Sequence, residues 1–145
     1  MFVLDLRTGA RTKIPGSEGL YRSFWSPNGK FLIGSSYDGK QLKLRDLGAQ
    51  RWTTLATAKL FGSPTWSPDS HFVYVQDLLE KEQPVHRVNI STLRSDRSDR
   101  IDVCSPLLAG DIHRCGLEGG SAQGDLLFRL SRGDQDVYSL ELSLP

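Results

Sequence analysis

The nearest approaches to a catalytic or phosphate-binding motif in this sequence fall in one short segment. Gly34-Ser35-Ser36-Tyr37-Asp38-Gly39-Lys40-Gln41 almost spells a phosphate-binding loop, in which backbone N–H groups cradle the phosphates and a Ser or Thr after the Lys holds magnesium. Gln41 stands where that hydroxyl is required, and no helical pattern follows it. The same stretch fails as a Gly-x-Ser-x-Gly nucleophile elbow because Asp38 takes the last place, and Gly119-Gly120-Ser121-Ala122-Gln123 fails at Gln123. His71, His86 and His113 lack the spacing of a helical metal motif, and Asp111-Ile112-His113 is the closest ligand pair. Asp96, Asp99 and Asp102 recur every third residue, without the Asp-x-Asp-x-Asp-Gly order of a calcium loop. Asn89-Ile90-Ser91 is a formal glycosylation sequon that coincides with a repeat marker described below. No catalytic residue, metal or cofactor is expected from these residues.

Composition narrows the classes further. With 38% hydrophobic and 24% charged residues over 145 positions, the chain can bury a core of ordinary size. Lys and Arg number 18 against 17 acidic residues, so no broad field attracts nucleic acid or an anionic membrane. The densest basic stretch, Arg94 to Arg100, is interrupted by Asp96 and Asp99 and reads as a solvated loop. Apolar runs fall far short of the roughly 20 residues that cross a bilayer, and Met1-Phe2-Val3-Leu4 meets Asp5 too soon for a signal segment. Neither nucleic acid nor membrane insertion is therefore expected, and the compartment is not readable. Cys104 and Cys115 are too few for a disulfide framework and are expected to be buried free thiols, with a mutual bridge as the alternative.

What organises the chain is a repeat. Phe24-Trp25-Ser26-Pro27-Asn28-Gly29-Lys30-Phe31-Leu32-Ile33 returns 41 residues later as Thr65-Trp66-Ser67-Pro68-Asp69-Ser70-His71-Phe72-Val73-Tyr74. A second marker recurs as Asp5-Leu6, Asp46-Leu47, Asn89-Ile90 and Glu141-Leu142. Ser-Pro-Asn-Gly and Ser-Pro-Asp-Ser supply the residues of a tight reversal, each between two strands. Asp38-Gly39 suggests a second hairpin of type I′ leading into a strand over Gln41 to Leu47, with a fourth over Arg51 to Leu55. Four short strands every ~40–45 residues mark a β-propeller blade, so the fold class is all-β. The expected organisation is a single domain over 1–145: partial blade strands at 1–15, blades at 20–56 and 61–101, and a third at 111–142 lacking its outer strand.

At these residues the chain resembles the TolB-like propeller family, whose repeats carry Trp-Ser-Pro-Asp-Gly, an apolar strand and a later Asp-Leu or Asp-Ile. Asn28 and Ser70 depart from that pattern, and the third copy keeps only Gly124-Asp125-Leu126-Leu127-Phe128. The resemblance covers nearly the whole chain and implies a fold, not a function. The tail from Leu127 to Pro145 also looks like the closing segment of propellers attached to bacterial sensor proteins, which would make this a sensing or docking part of a longer chain. Relatives of the TolB-like type are often periplasmic.

Propellers usually have four to eight blades, and four at ~42 residues need roughly 168. Two chains are therefore expected to close a six-bladed ring as a homodimer, each Arg11-to-Ile14 strand completing the partner's third blade. The expected function is a non-catalytic scaffold that binds a protein or peptide through its loops, the alternative being an accessory propeller that gates substrate for a hydrolase or lyase. Tyr37, Asp38 and Lys40 in one hairpin, and Glu80, Lys81 and Glu82 in the next, are the expected contact residues. Trp25 and Trp66, at one repeat position, are expected to pack between blades, whereas Trp52 and Tyr37 lie outside that register and are expected to be exposed.

Overall fold

The computed structural model of the chain describes residues 1–93, 100–102, 104, 112–132 and 136–142. Among the described residues run thirteen β-strands: β1 (Phe2–Leu4), β2 (Arg11–Lys13), β3 (Leu20–Trp25), β4 (Phe31–Ser36), β5 (Gln41–Asp46), β6 (Arg51–Thr57), β7 (Thr65–Trp66), β8 (Phe72–Gln76), β9 (Val85–Asn89), β10 (Arg100–Ile101), β11 (Ile112–Gly120), β12 (Leu126–Arg132) and β13 (Asp136–Leu142). They form two four-stranded sheets in sequential order, β3 to β6 and β7 to β10, a three-stranded sheet β11-β12-β13, and the hairpin β1-β2. Every pairing is antiparallel, so the all-β architecture of propeller blades expected from the repeat is borne out. Asp96, Asp99 and Asp111 lie outside the described residues.

A serine-centred turn builds four of the reversals among the described residues. Between β3 and β4, Ser26 Oγ donates to Asn28 Oδ1 at 2.8 Å and accepts the Phe31 N–H at 2.9 Å, while the Ser26 carbonyl takes the Gly29 N–H. Ser67 repeats this with Asp69 Oδ1 at 2.6 Å and the Phe72 N–H at 2.9 Å. Ser36 does the same in the β4–β5 turn, with Asp38 Oδ1 at 2.6 Å and the Gln41 N–H at 3.0 Å. That corrects the type I′ expectation. Gly39 has φ 69°, but Asp38 is not among the residues with positive φ, and a type I′ turn needs it at both central positions. The third repeat, without Trp or Pro, keeps the device: Ser121 Oγ donates to Asp125 Oδ2 at 3.0 Å and accepts the Asp125 N–H at 3.1 Å.

The Asp-Leu marker also has a physical cause. Oδ1 of Asp46 accepts the N–H groups of Gly48 and Ala49, Oδ1 of Asn89 those of Ser91 and Thr92, and Oδ1 of Asp5 those of Arg7 and Thr8. A short side-chain oxygen thus mimics the backbone at the start of each third-to-fourth-strand turn.

Sheets stack face to face, and β8 shows why its residues are apolar on both sides. Val73 and Val75 pack towards the preceding sheet with Ile33, Leu42, Leu44 and Leu55. Tyr74, one residue out of phase, packs with Leu117, Leu126, Phe128 and Leu130 of the following sheet. Period-two alternation therefore feeds two cores from one strand. Gln76 stitches the second interface. Buried to 1% exposure, its Nε2 donates to the carbonyls of Gln83 and Cys115, both at 3.0 Å, and its Oε1 accepts the Leu117 N–H at 3.0 Å.

Beside Gln76, Cys104 and Cys115 form a disulfide, which corrects the expectation of free thiols. Sequence separation hides the reason: Cys104 lies against Cys115 of β11 with the two Cα atoms 5.6 Å apart, inside the range a disulfide spans.

The β1-β2 hairpin is solvent-exposed along both strands. It is tied to the next sheet by the Met1 side chain over Gly34 and by the N-terminal ammonium, which donates to Ser17 Oγ at 2.7 Å. The strand expected to complete a partner's third blade already has a partner in its own chain, from Phe2↔Lys13 to Leu4↔Arg11.

Candidate functional site

The first strands of the three larger sheets meet along one edge. Trp66 Nε1 on β7 donates to the Phe24 carbonyl on β3 at 3.2 Å, and Gly120 on β11 lies against Thr65 Oγ1 and the Trp66 carbonyl. In a meander of antiparallel strands the turns alternate between ends. The Ser26, Ser67 and Ser121 turns therefore share one end, and the Ser36 turn lies at the other.

At the first of these ends a groove of about 640 Å³ opens between the three sheets. Trp25, Pro27, Trp66 and Pro68 give it aromatic and pyrrolidine walls, and Ser23, Thr65 and Ser121 contribute hydroxyls. None of its lining residues is ionisable. The two tryptophans differ sharply. Trp66 is 8% exposed, bonded to Phe24 and stacked at 6.4 Å on Phe31, as packing between blades predicts. Trp25 is 49% exposed, which corrects the expectation for it. The neighbours that cover Trp66, Phe24 and Phe31, belong to the sheet before it.

The expected contact residues lie at the opposite end. Tyr37 is 75% exposed and stacks on Tyr21, with centroids 5.5 Å apart and planes within 9°. Asp38 is engaged by its own turn: the Ser36 hydroxyl, then the Lys40 N–H, hold its carboxyl below the ordinary carboxylate pKa. Lys40 and Lys81 are exposed. Glu80 and Glu82 grip opposite nitrogens of the Arg100 guanidinium at 2.8 and 3.0 Å, clamping β10 to the β8–β9 turn, and His86 Nε2 stands 3.6 Å from Glu80. Trp52, expected to be exposed, is partly covered: its Nε1 donates to the Pro15 carbonyl at 2.9 Å, and Arg45 lies over its ring. His71 is exposed beside Asp69 at 3.3 Å. Leu60 lies between the two hairpins, its side chain against Gly39 and its carbonyl accepting the Leu78 N–H.

The groove was missed in the sequence because its residues looked like fold determinants. Pro27 and Pro68 are turn residues by type, and Trp25 shares its repeat position with a buried tryptophan. A usable signal existed in the Pro64-Thr65-Trp66-Ser67-Pro68 run, where prolines flank an aromatic.

Comparison with solved structures agrees with the architecture. TolB from Acinetobacter baumannii superposes at a TM-score of 0.68 with 16% identity, over 97% of this chain and 34% of that one. A prolyl endopeptidase gives 0.61 and 18% over 97% and 24% of the two chains, and regucalcin, a calcium-binding protein of Agrobacterium tumefaciens, gives 0.57 and 18% over 89% and 46%. At such identities the likeness shows the fold, which is that of a TolB-like β-propeller. The chain spans about a third of the length of the TolB it matches. No protein-family model matches the sequence, and no curated protein does.

Proposed function

We propose that this chain is a non-catalytic binding module that receives an extended segment of protein in the groove between Trp25, Trp66 and the Ser121 turn. The observation that carries the reading is the lining itself: aromatic rings, prolines and neutral hydroxyls, with no carboxylate, imidazole, amine or guanidinium among them. General acid–base or nucleophilic catalysis needs at least one such group placed against the reacting atoms, whereas recognition needs shape, apolar area and a few hydrogen bonds. Flat indole and pyrrolidine surfaces suit a ligand that is already extended and rigid, above all one containing proline, because little conformational entropy is lost when it docks. Trp25 is the anchor in this reading, since it is large and presents about half its surface.

The test is selection of displayed random peptides on the whole chain, followed by affinity measurement of the enriched peptides on wild type and on Trp25→Ala. Enrichment of proline- and aromatic-containing peptides, with affinity falling at least roughly tenfold in the variant, is the expected result. Equal affinity for both proteins, or cleavage of the bound peptides, would overturn the reading.

A further inference from the structure

A second feature lies along the same edge, at Arg22 and Ser63, each next in sequence to a residue of the groove wall, Ser23 and Pro64. Between Tyr21 and Ser23 the pairing of β3 with β4 slips by one residue, and the extra residue is Arg22. Its φ is +43°, a left-handed conformation that side chains other than those of Gly, Asn and Asp rarely adopt. A bulge of this kind re-aims a side chain, at a cost in backbone strain.

The repeat supplies an internal control. Forty-one residues on, the position equivalent to Arg22 is Ser63, and the Phe61↔Asp77 bridge followed by Thr65↔Tyr74 shows the same one-residue slip around it. The second sheet thus keeps the slip but has neither a positive φ nor a charge at this place. Blade architecture alone does not account for Arg22.

What the bulge presents is a cation with no counter-ion. The Arg22 guanidinium is exposed, lies 5.4 Å from the Tyr21 ring centroid and donates to Ser63 Oγ at 3.3 Å. No carboxylate among the described residues pairs with it. Tyr37 stacks on the far part of the same platform, and neither phenol hydrogen-bonds within the described residues. A planar, forked donor set on an aromatic floor, beside a neutral hydroxyl, matches a planar anion that accepts two parallel hydrogen bonds.

We infer that Arg22, with Ser63 and the Tyr21–Tyr37 pair, forms a carboxylate-binding subsite. Neither Arg22 nor Ser63 lines the Trp25 groove, and the subsite stands whether or not that groove binds peptide.

The experiment is an NMR titration of the isotopically labelled full chain at neutral pH with N-acetylphenylalanine, and in parallel with its amide, which lacks the charge. The acid is expected to shift the Arg22 side-chain and Ser63 amide signals saturably, and the amide to leave them in place. Saturation by the α-amide of N-acetylglutamic acid instead would identify an acidic side chain rather than a chain terminus as the carboxylate. Arg22→Gln should weaken binding at least roughly tenfold, as loss of a charged hydrogen-bond pair does. Arg22→Gly should lose binding while raising the unfolding temperature, because glycine accepts the backbone conformation without strain. Equal shifts with acid and amide, preference for inorganic phosphate, or unchanged binding in Arg22→Gln would each overturn the inference.

Discussion

Ser70 accepts the backbone N–H of Asn28, 42 residues away, at 3.1 Å, so the reversal of one blade is bonded to the reversal of the next. Ser70 occupies the repeat position that Gly29 holds in the first copy. It is fully buried and holds a φ of 64°, the conformation for which glycine is ordinarily needed. Its hydroxyl offsets the strain by linking two blades. Ser70→Ala keeps the strain and loses the bond, and is expected to cost about 1–2 kcal/mol. Ser70→Gly relieves the strain and should recover roughly 1 kcal/mol of that loss. Urea denaturation of both variants tests the account, and an alanine variant as stable as wild type would refute it.

The Cys104–Cys115 bridge is predicted to matter to the chain's stability. It closes a short loop between the second and third sheets, and both residues lie in the core shared by those sheets. Losing it should lower stability by about 2–3 kcal/mol, and the unfolding midpoint of wild type should fall on adding a reductant. The Cys104→Ser, Cys115→Ser double variant should start low and ignore the reductant. A wild-type midpoint indifferent to reduction would show that the bridge contributes nothing.

Acid sensitivity follows from the turns. Asp69 is held below its ordinary 3.8, first by the Ser67 hydroxyl and then by the His71 N–H, and Asp38 is held down in the same way by Ser36 and Lys40. A depressed folded-state pKa favours the native state fully above the unfolded value, and that contribution is lost as the pH falls through the folded one. Thermal stability should therefore change little with these groups at neutral pH and decline below about pH 4. Asn28 performs the Asp69 role without a charge, so Asp69→Asn together with Asp38→Asn should preserve the turns and flatten the acid limb. An unchanged limb in that double variant would place the acid response elsewhere.

The blades were legible because their determinants are local. Trp-Ser-Pro turns and the Asp-Leu marker each reflect hydrogen bonds closed within five residues of chain, so spacing alone revealed them. In the third repeat the Trp-Ser-Pro signature is lost, but the serine that does the bonding survives as Ser121, three residues before Gly124. Features fixed by distant neighbours were not legible. The disulfide depends on Cys104 lying against Cys115 of β11, and the burial of Trp66 depends on Phe24 and Phe31 of the preceding sheet. Nothing in the type of Arg22 announces a bulge, since slippage is set by pairing rather than by residue identity. Glu80 and Glu82 read as contact residues of a loop because their pairing with Arg100, which comes from another strand, is not visible in the sequence.

In all four serine-centred turns the serine and the residues after the next hold the reversal, and the position immediately following the serine is left exposed: Pro27, Tyr37, Pro68 and Ala122. Three of these four line the groove. The scaffold thus separates a grammar of folding from a vocabulary of display. Under the proposed function, selection, natural or in the laboratory, can rewrite one residue per turn and change what the groove receives while the hydrogen bonds that close each hairpin stay in place.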